Sequence, residues 1–460
     1  MKILSIIEAR ILAFTALVFI GYTSCTKYLD KKPDSSVAVP TTLDNLQALL
    51  DFTNVMNLET TPAFGAASSD DYFLLEQDYD HYVTQAQQVY TWNREDYVFP
   101  NDWAQAYTPI YNANYCLDQI DKISINDKTK SEWDNVKGSA LFFRSYYFLD
   151  LLWTFSKAYD SSSFNTDLGI VLRLGSDFNV PSKRATVKEC YDRVIEDTRS
   201  SIGLLPDHPQ VDTRPSKEAA FGLLARAFLS MRVYDSALKY SNLCLQLNSN
   251  LIDYNGDNDI NGSIDAQAPF KIFNKETLFY TEMYNGLINN SWVAKIDTLL
   301  YAKYDSNDLR KTAFFAPVGN YYKFKCIYTG DIYNYFTGIA TDEIYLIRAE
   351  SEAHLGDFAS AMNDLNTLLS KRWRTGTFVP LTSTNSTEAL NIIRTERRKE
   401  LIDRGVRWID IKRYNKENAN INLKRKIKGQ TYTLSPNSNY YALPLPADII
   451  KIAGISQNPL

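Results

Sequence analysis

Three sets of residues in this chain have types and spacings that could do chemistry. The first is the doublet Asp70-Asp71, because a pair of carboxylates can hydrolyse a glycosidic bond when the two flank it. Neighbours in one loop cannot reach a bond from opposite sides, so capping or turn bonding suits this doublet better. The second is DYNGDNDINGSID at Asp253–Asp265. It sets Asp257, Asp259, Asn261, Gly262 and Asp265 at the first, third, fifth, sixth and ninth places of a calcium loop. Ala268 stands where the bidentate Glu belongs, which leaves a solvated Asx/Gly turn as the alternative to a structural calcium site. The third set is aromatic. Tyr72, Phe73, Tyr79, Tyr82, Tyr90, Trp92 and Tyr97 crowd one irregular region, Tyr321, Tyr322, Tyr328, Tyr333 and Tyr335 crowd another, and Trp292 lies between them in sequence.

Rings on a helix face are usually core, whereas rings in long loops have fewer reasons to be buried and can stack on sugar faces or peptide side chains. About half of them should still pack the loops down. The candidates for ligand contact are Asp71, Tyr72, Tyr79, Tyr82, Trp92, Trp292, Tyr322 and Tyr333. No catalytic residue is assigned. There is no Gly-rich phosphate loop after a strand, no GxSxG elbow and no CxxC, and His81, His208 and His354 are scattered, so no zinc, haem or other cofactor is expected. A net charge of −5 with interspersed signs offers no polycationic face, which argues against nucleic acid as a partner.

These residues must be held by something, and the periodicity is mostly helical. Leu43, Leu46, Leu49 and Leu50 mark a short helix. Trp103 to Ile120 and Trp133 to Leu151 trace two apolar faces of an antiparallel pair, and Thr186 with Glu189 forms a capping box opening a helix to about Leu205. Ala225, Tyr234 and Ala237 occupy the small, aromatic and small positions of a tetratricopeptide hairpin, and Ala349, Phe358 and Ala361 repeat those offsets. The expected fold is mostly α: about four helix pairs stacked as a right-handed superhelix, at 101–155, 186–247 and 341–372 with a C-terminal helix at 387–414. The segments 52–100, 156–185 and 250–340 form an irregular second lobe that carries the ligand surface. Along the C-terminal helix Arg397 falls on the apolar stripe with Leu390, Ile393 and Leu401. A buried guanidinium needs a carboxylate, and Glu350 is the expected partner. Glu400–Arg404 and Asp403–Arg407 have helical ion-pair spacing. Tyr440–Pro446, YYALPLP, is too proline-rich for a helix and reads as an extended closing strap.

Lys2, Arg10, the apolar run Ile11–Ile20 and Tyr22-Thr23-Ser24-Cys25 read as an export signal ending in a lipobox. Residues 1–24 are expected to be removed and Cys25 lipidated, leaving 25–460 as one structural unit. Cys116, Cys190, Cys244 and Cys326 read as buried thiols.

Three runs carry a family resemblance: ERRKELIDRGVRWIDIKRY from Glu396, YLIRAESEAHLGDFASAMNDLNTLLSKR from Tyr345, and YYALPLPADIIKIAGISQNP from Tyr440. Together with TKYLDKKPDS after Cys25, they resemble the SusD/RagB family of nutrient-uptake lipoproteins. The chain departs from that pattern at Arg404, where the resemblance implies an acidic residue before Gly405. The resemblance implies a non-catalytic, lipid-anchored outer-membrane protein facing outward. It would capture glycan and pass it to a SusC-like TonB-dependent barrel, and its binding residues would lie in the loops, outside the C-terminal runs. A peptide-binding member of the same family is the second reading, and a secreted all-helical glycosidase the third.

Overall fold

Among the described residues, eight helices long enough to bury a full face follow one another and pack each against the next. The computed structural model describes residues 40–93, 101–284 and 293–459. The signal, Cys25, Tyr97 and Trp292 lie outside the described residues. After α1 (Leu43–Leu50), the stack runs α2 (Asp102–Ile120), α3 (Lys130–Phe155), α4 (Val187–Ile202), α5 (Lys217–Met231), α6 (Tyr234–Leu247), α7 (Thr341–His354), α8 (Phe358–Ser370) and α9 (Ser386–Glu400), followed by α10 (Arg407–Asn415). The fold is mostly helical and tetratricopeptide-like.

The local causes are visible in the sequence. Asn101 accepts the Ala104 N–H at 2.9 Å to open α2, and Thr186 and Glu189 make the reciprocal capping box that opens α4. Ala225, Ala237, Ala349 and Ala361 are fully buried where helices approach closely. Tyr234 fills the gap to the next repeat by stacking on His354, ring centroids 3.7 Å apart. Gly222 in α5 permits the closest approach: a Cβ there would stand 2.7 Å from Ile339 Cγ2.

The strands form five two-stranded antiparallel sheets among the described residues. β1 (Tyr72–Phe73) pairs with β5 (Lys295–Ile296), β2 (Leu168–Val171) with β3 (Arg184–Thr186), and β4 (Thr277–Phe279) with β8 (Ile339–Ala340). β6 (Phe315–Val318) pairs with β7 (Tyr321–Phe324), and β9 (Leu423–Ile427) with β10 (Gln430–Leu434). The region 52–93 is less irregular than expected, since it holds short helices at Thr53–Met56, Phe64–Ser68, Glu76–Asp80 and Thr84–Thr91. Three of these are four or five residues long, and Thr84–Thr91 reads TQAQQVYT, so none shows a sustained apolar stripe.

The expected C-terminal helix is two helices. Asp403 (φ 53°) and Gly405 (φ 77°) turn the chain between α9 and α10, so α10 folds back and the predicted ion pairs are replaced by longer-range ones. Arg397 pairs with Asp410 across that turn at 2.8 Å and lies 3.7 Å from Glu343; Glu350 instead takes Arg413 at 2.6 and 2.7 Å and Arg394 at 3.0 Å. Burial pushes the Glu350 carboxyl up, but Arg413, Arg394 and Arg397 together outweigh it and hold it well below the usual range. Glu400 accepts from Arg372 at 2.7 Å and Arg310 at 2.9 Å, and Arg404 reaches Asp342 at 3.1 Å. Arg372 continues to Glu276 at 2.8 Å, and Arg310 forks onto Asp308 at 2.9 and 2.7 Å. Buried arginines from the C-terminal runs thus bolt the loops before α7 onto the helix stack.

The strap begins with a 3-10 turn at Asn439–Tyr441 where an extended run was expected, and is non-helical from Ala442 to Pro446. Leu443 and Leu445 are buried, Leu443 N–H donates to Thr154 O, and the Asn458 amide donates to Phe155 O and Leu443 O at 2.8 and 2.7 Å, tying the last residues to the end of α3. Cys116, Cys190, Cys244 and Cys326 are buried free thiols.

Candidate ligand-binding surface

β1 pairs with β5, and β5 lies against β7, so the 72–73 and 321–322 segments, about 250 residues apart, come together. Phe73 meets Tyr321 edge to face at 5.2 Å, and Tyr322 stacks on Tyr301 at 3.8 Å with the Lys311 ammonium 5.0 Å from the Tyr301 ring. All of these side chains are half-buried. Tyr79 and Tyr82 are likewise half-buried, on the segment after β1. Lys295 Nζ lies 3.4 Å from Asp78 beside them. Burial pushes the Tyr82 hydroxyl up to about 12, so it remains a neutral donor at physiological pH. An open ring face can stack on a sugar while fixed polar groups beside it hydrogen-bond the sugar hydroxyls.

Other candidates are spent inside. Tyr72 is 3% exposed and donates its hydroxyl to Ala67 O at 2.6 Å; Trp92 is 8% exposed and donates its indole N–H to Ser68 O at 2.9 Å. Both belong to a ring cage around Arg425, whose guanidinium lies 3.7 Å from the Tyr90 ring, 4.8 Å from Trp92 and 5.2 Å from Tyr72. An edge of Trp92 still lines a cavity of about 220 Å³ with Tyr440. The expectation that Tyr72 and Trp92 form an exposed platform fails because residues 64–92 wrap a buried cation supplied by β9. One signal was readable: Leu423, Arg425 and Ile427 alternate along β9, which puts an arginine on the inward face.

Asp71 is 1% exposed and accepts from Arg398 Nε at 2.9 Å, while Asp70 accepts from Arg407 at 2.7 and 3.0 Å. Burial pushes Asp70 up, but Arg407 and Arg398 outweigh it and hold its carboxyl below the ordinary range; at Asp71 burial prevails and the shift is upward. The doublet is an anchor between its loop and α9–α10, and the Asp71 carboxylate expected to meet ligand is buried on Arg398. Tyr333, 51% exposed, stands in the turn after Asp331, whose carboxylate accepts its N–H at 2.8 Å.

The calcium loop is closed by its own cation. Lys275 Nζ lies 2.7 Å from Asp257, the Lys275 N–H donates to Asp259 at 2.8 Å, and Asp265 accepts from Ser263. The Asn261 amide donates to Ala268 O and Phe270 O. These bonds make the segment a hydrogen-bonded turn, and among the described residues no group of three or more His, Cys, Asp or Glu is arranged to hold a metal.

A larger groove of about 620 Å³ runs between α1, the start of α3 and residues 204–214, lined by Asp44, Gln47, Lys130, Glu132 and Arg214. It contains no aromatic side chain and so lacks the stacking surface that β1, β5 and β7 provide.

Residues 277–459 match the SusD family, and residues 27–229 match a SusD-like family described as "Starch-binding associating with outer membrane". A solved SusD superfamily protein from Bacteroides thetaiotaomicron VPI-5482 superposes with a TM-score of 0.73 at 21% identity, covering 91% of this chain and 100% of its own. A putative sugar binding protein from Bacteroides vulgatus ATCC 8482 superposes with a TM-score of 0.72 at 21% identity, covering 92% and 99%. A SusD-like carbohydrate binding protein from the same organism gives 0.65 at 21%, covering 90% and 96%. At these identities the structures speak for the fold alone. No curated protein matches the chain. The chain belongs to the SusD/RagB family, whose members are associated with the outer membrane, and among its described residues no helix is long and apolar enough to cross a membrane.

Proposed function

We propose that this protein is a non-catalytic glycan receptor of the outer cell surface. It is anchored by lipid on Cys25 after removal of residues 1–24, and it delivers its ligand to a SusC-like TonB-dependent barrel. The observation that carries the reading is the ring array on β1, β5 and β7: Phe73 against Tyr321 and Tyr322 against Tyr301. The sugar-binding descriptions of two structural relatives support it. Catalysis by the acidic doublet has no support, since Arg398 and Arg407 hold both carboxylates.

The test is titration of the chain starting after Cys25 with polysaccharides, oligosaccharides and peptides, alongside Tyr321→Ala and Tyr322→Ala. Oligosaccharide binding should weaken about tenfold in each variant, the loss expected for removing one anchoring ring. Binding confined to peptides, or saccharide binding that ignores both substitutions, rejects the reading. The solenoid face of α4 to α8 is the proposed barrel contact, because stacked repeats offer an extended surface. Co-purification with the barrel should fail when charges across those helices are reversed, and its survival counts against this contact.

A further inference from the structure

The strap and α10 enclose a slot lined by none of the ring array. Its walls include Lys157, Lys412, Lys416, Asn437, Ser438 and Tyr441, and it measures about 30 Å³. That is room for about two oxygen-sized atoms, at roughly 10–15 Å³ each. Lys416 is held by Asp160 at 2.9 Å and Lys157 by Asp167 at 3.5 Å, so both ammonium groups are positioned at the rim.

Lys412 is different. It is buried, it has no carboxylate within ion-pair distance among the described residues, and two of its three N–H bonds go to the Trp153 and Ser156 carbonyls at 2.6 and 2.5 Å, at the end of α3. In its ammonium form it carries a third proton for which the described residues offer no acceptor. Tyr441 is 3% exposed, and among the described residues its hydroxyl has no partner at hydrogen-bond distance, with the Asn415 side chain beside it. Two buried donors without acceptors, in a cavity flanked by cations, are costly unless an acceptor enters. The acceptor that fits is small and anionic with two oxygens, which describes a carboxylate; a tetrahedral sulfate or phosphate exceeds the space.

Ser438 also lines the adjoining 220 Å³ cavity, whose walls include Trp92, Asn93, Tyr440 and Asn458. We propose that the two cavities form one subsite for an acidic sugar, with the pyranose ring beside Trp92 and Tyr440 and its carboxylate in the lysine slot, held by Lys412 and Tyr441. This rests on the glycan reading and adds a charge preference to it. Burial holds the Lys412 amine down at about 7, and a carboxylate in the slot supplies the countercharge that keeps it protonated.

The experiment is calorimetric titration of the chain starting after Cys25 with D-glucuronate, D-glucose and acetate. It is run on the unmodified protein, on Tyr441→Phe and on Lys157→Ala with Lys416→Ala, substitutions chosen because they spare the buried Lys412. Glucuronate should bind at least about tenfold tighter than glucose or acetate, and both variants should lose about five- to tenfold. Acetate binding as tightly as glucuronate, no glucuronate binding, or binding indifferent to both variants overturns the subsite. If a neutral oligosaccharide still binds in those cases, the receptor reading stands without it. Glucuronate binding lost in the variants while every oligosaccharide fails supports the subsite and removes the receptor reading.

Discussion

At the scale of single residues, the decisive groups are buried arginines whose partners come from remote segments. Arg372 joins Glu400 to Glu276 and caps the Ile252 carbonyl at 2.7 Å. Arg372→Met should cost about 3–5 kcal/mol, because two carboxylates and a carbonyl are left in a dry site; urea unfolding measures it, and a loss below 1 kcal/mol contradicts the network described above. The sequence showed that Arg397 needed a carboxylate but not which one. Glu350 sits at a plausible spacing, yet the turn at Gly405 delivers Asp410 instead, and such a choice depends on backbone direction. The rings pose the same problem. Tyr321, Tyr322 and Trp92 are chemically similar loop aromatics in the sequence, and only the distant Arg425 determines that Trp92 is inside.

At the scale of elements, the alanine–aromatic–alanine offsets and the Thr186 capping box were legible because each is a local rule with one geometric outcome. Legibility ended where an element spans one or two turns without an apolar stripe, as at Phe64–Ser68 and Thr84–Thr91, or where one residue bends it, as between α9 and α10. The junction of α3 with α10 carries a pH prediction. Burial lowers Lys412 from its ordinary 10.5 to about 7, so between those values the unfolded chain binds the extra proton. The stability due to this residue is therefore lowest below about pH 7 and rises as pH climbs toward about 10.5, with a slope of up to about 1.4 kcal/mol per pH unit. Unfolding free energies of the unmodified protein should show that rise between pH 7 and 10 relative to Lys412→Met; parallel profiles would refute it.

At the scale of the whole molecule, ion pairs close loops of about 60 to more than 300 residues. Asp70 and Asp71 meet Arg407 and Arg398, Glu276 meets Arg372, and Asp342 meets Arg404. A fragment of residues 40–340 should therefore fail to fold: it retains buried Asp71 and Glu276 and half-buried Asp70 while lacking Arg398, Arg372 and Arg407. Circular dichroism and limited proteolysis should show a protease-sensitive chain, and a cooperative thermal transition would disprove this dependence. The helical class was legible at this scale, whereas the closure was not, since pairing between remote charges leaves no periodic trace. The same closure sets a clock. During synthesis the early segments wait for countercharges encoded in the last hundred residues, so the chain stays loose until translation is nearly complete. A polypeptide that must be threaded through a narrow translocation pore before it folds gains from that delay, because the step that would lock its shape is postponed to the end of the message.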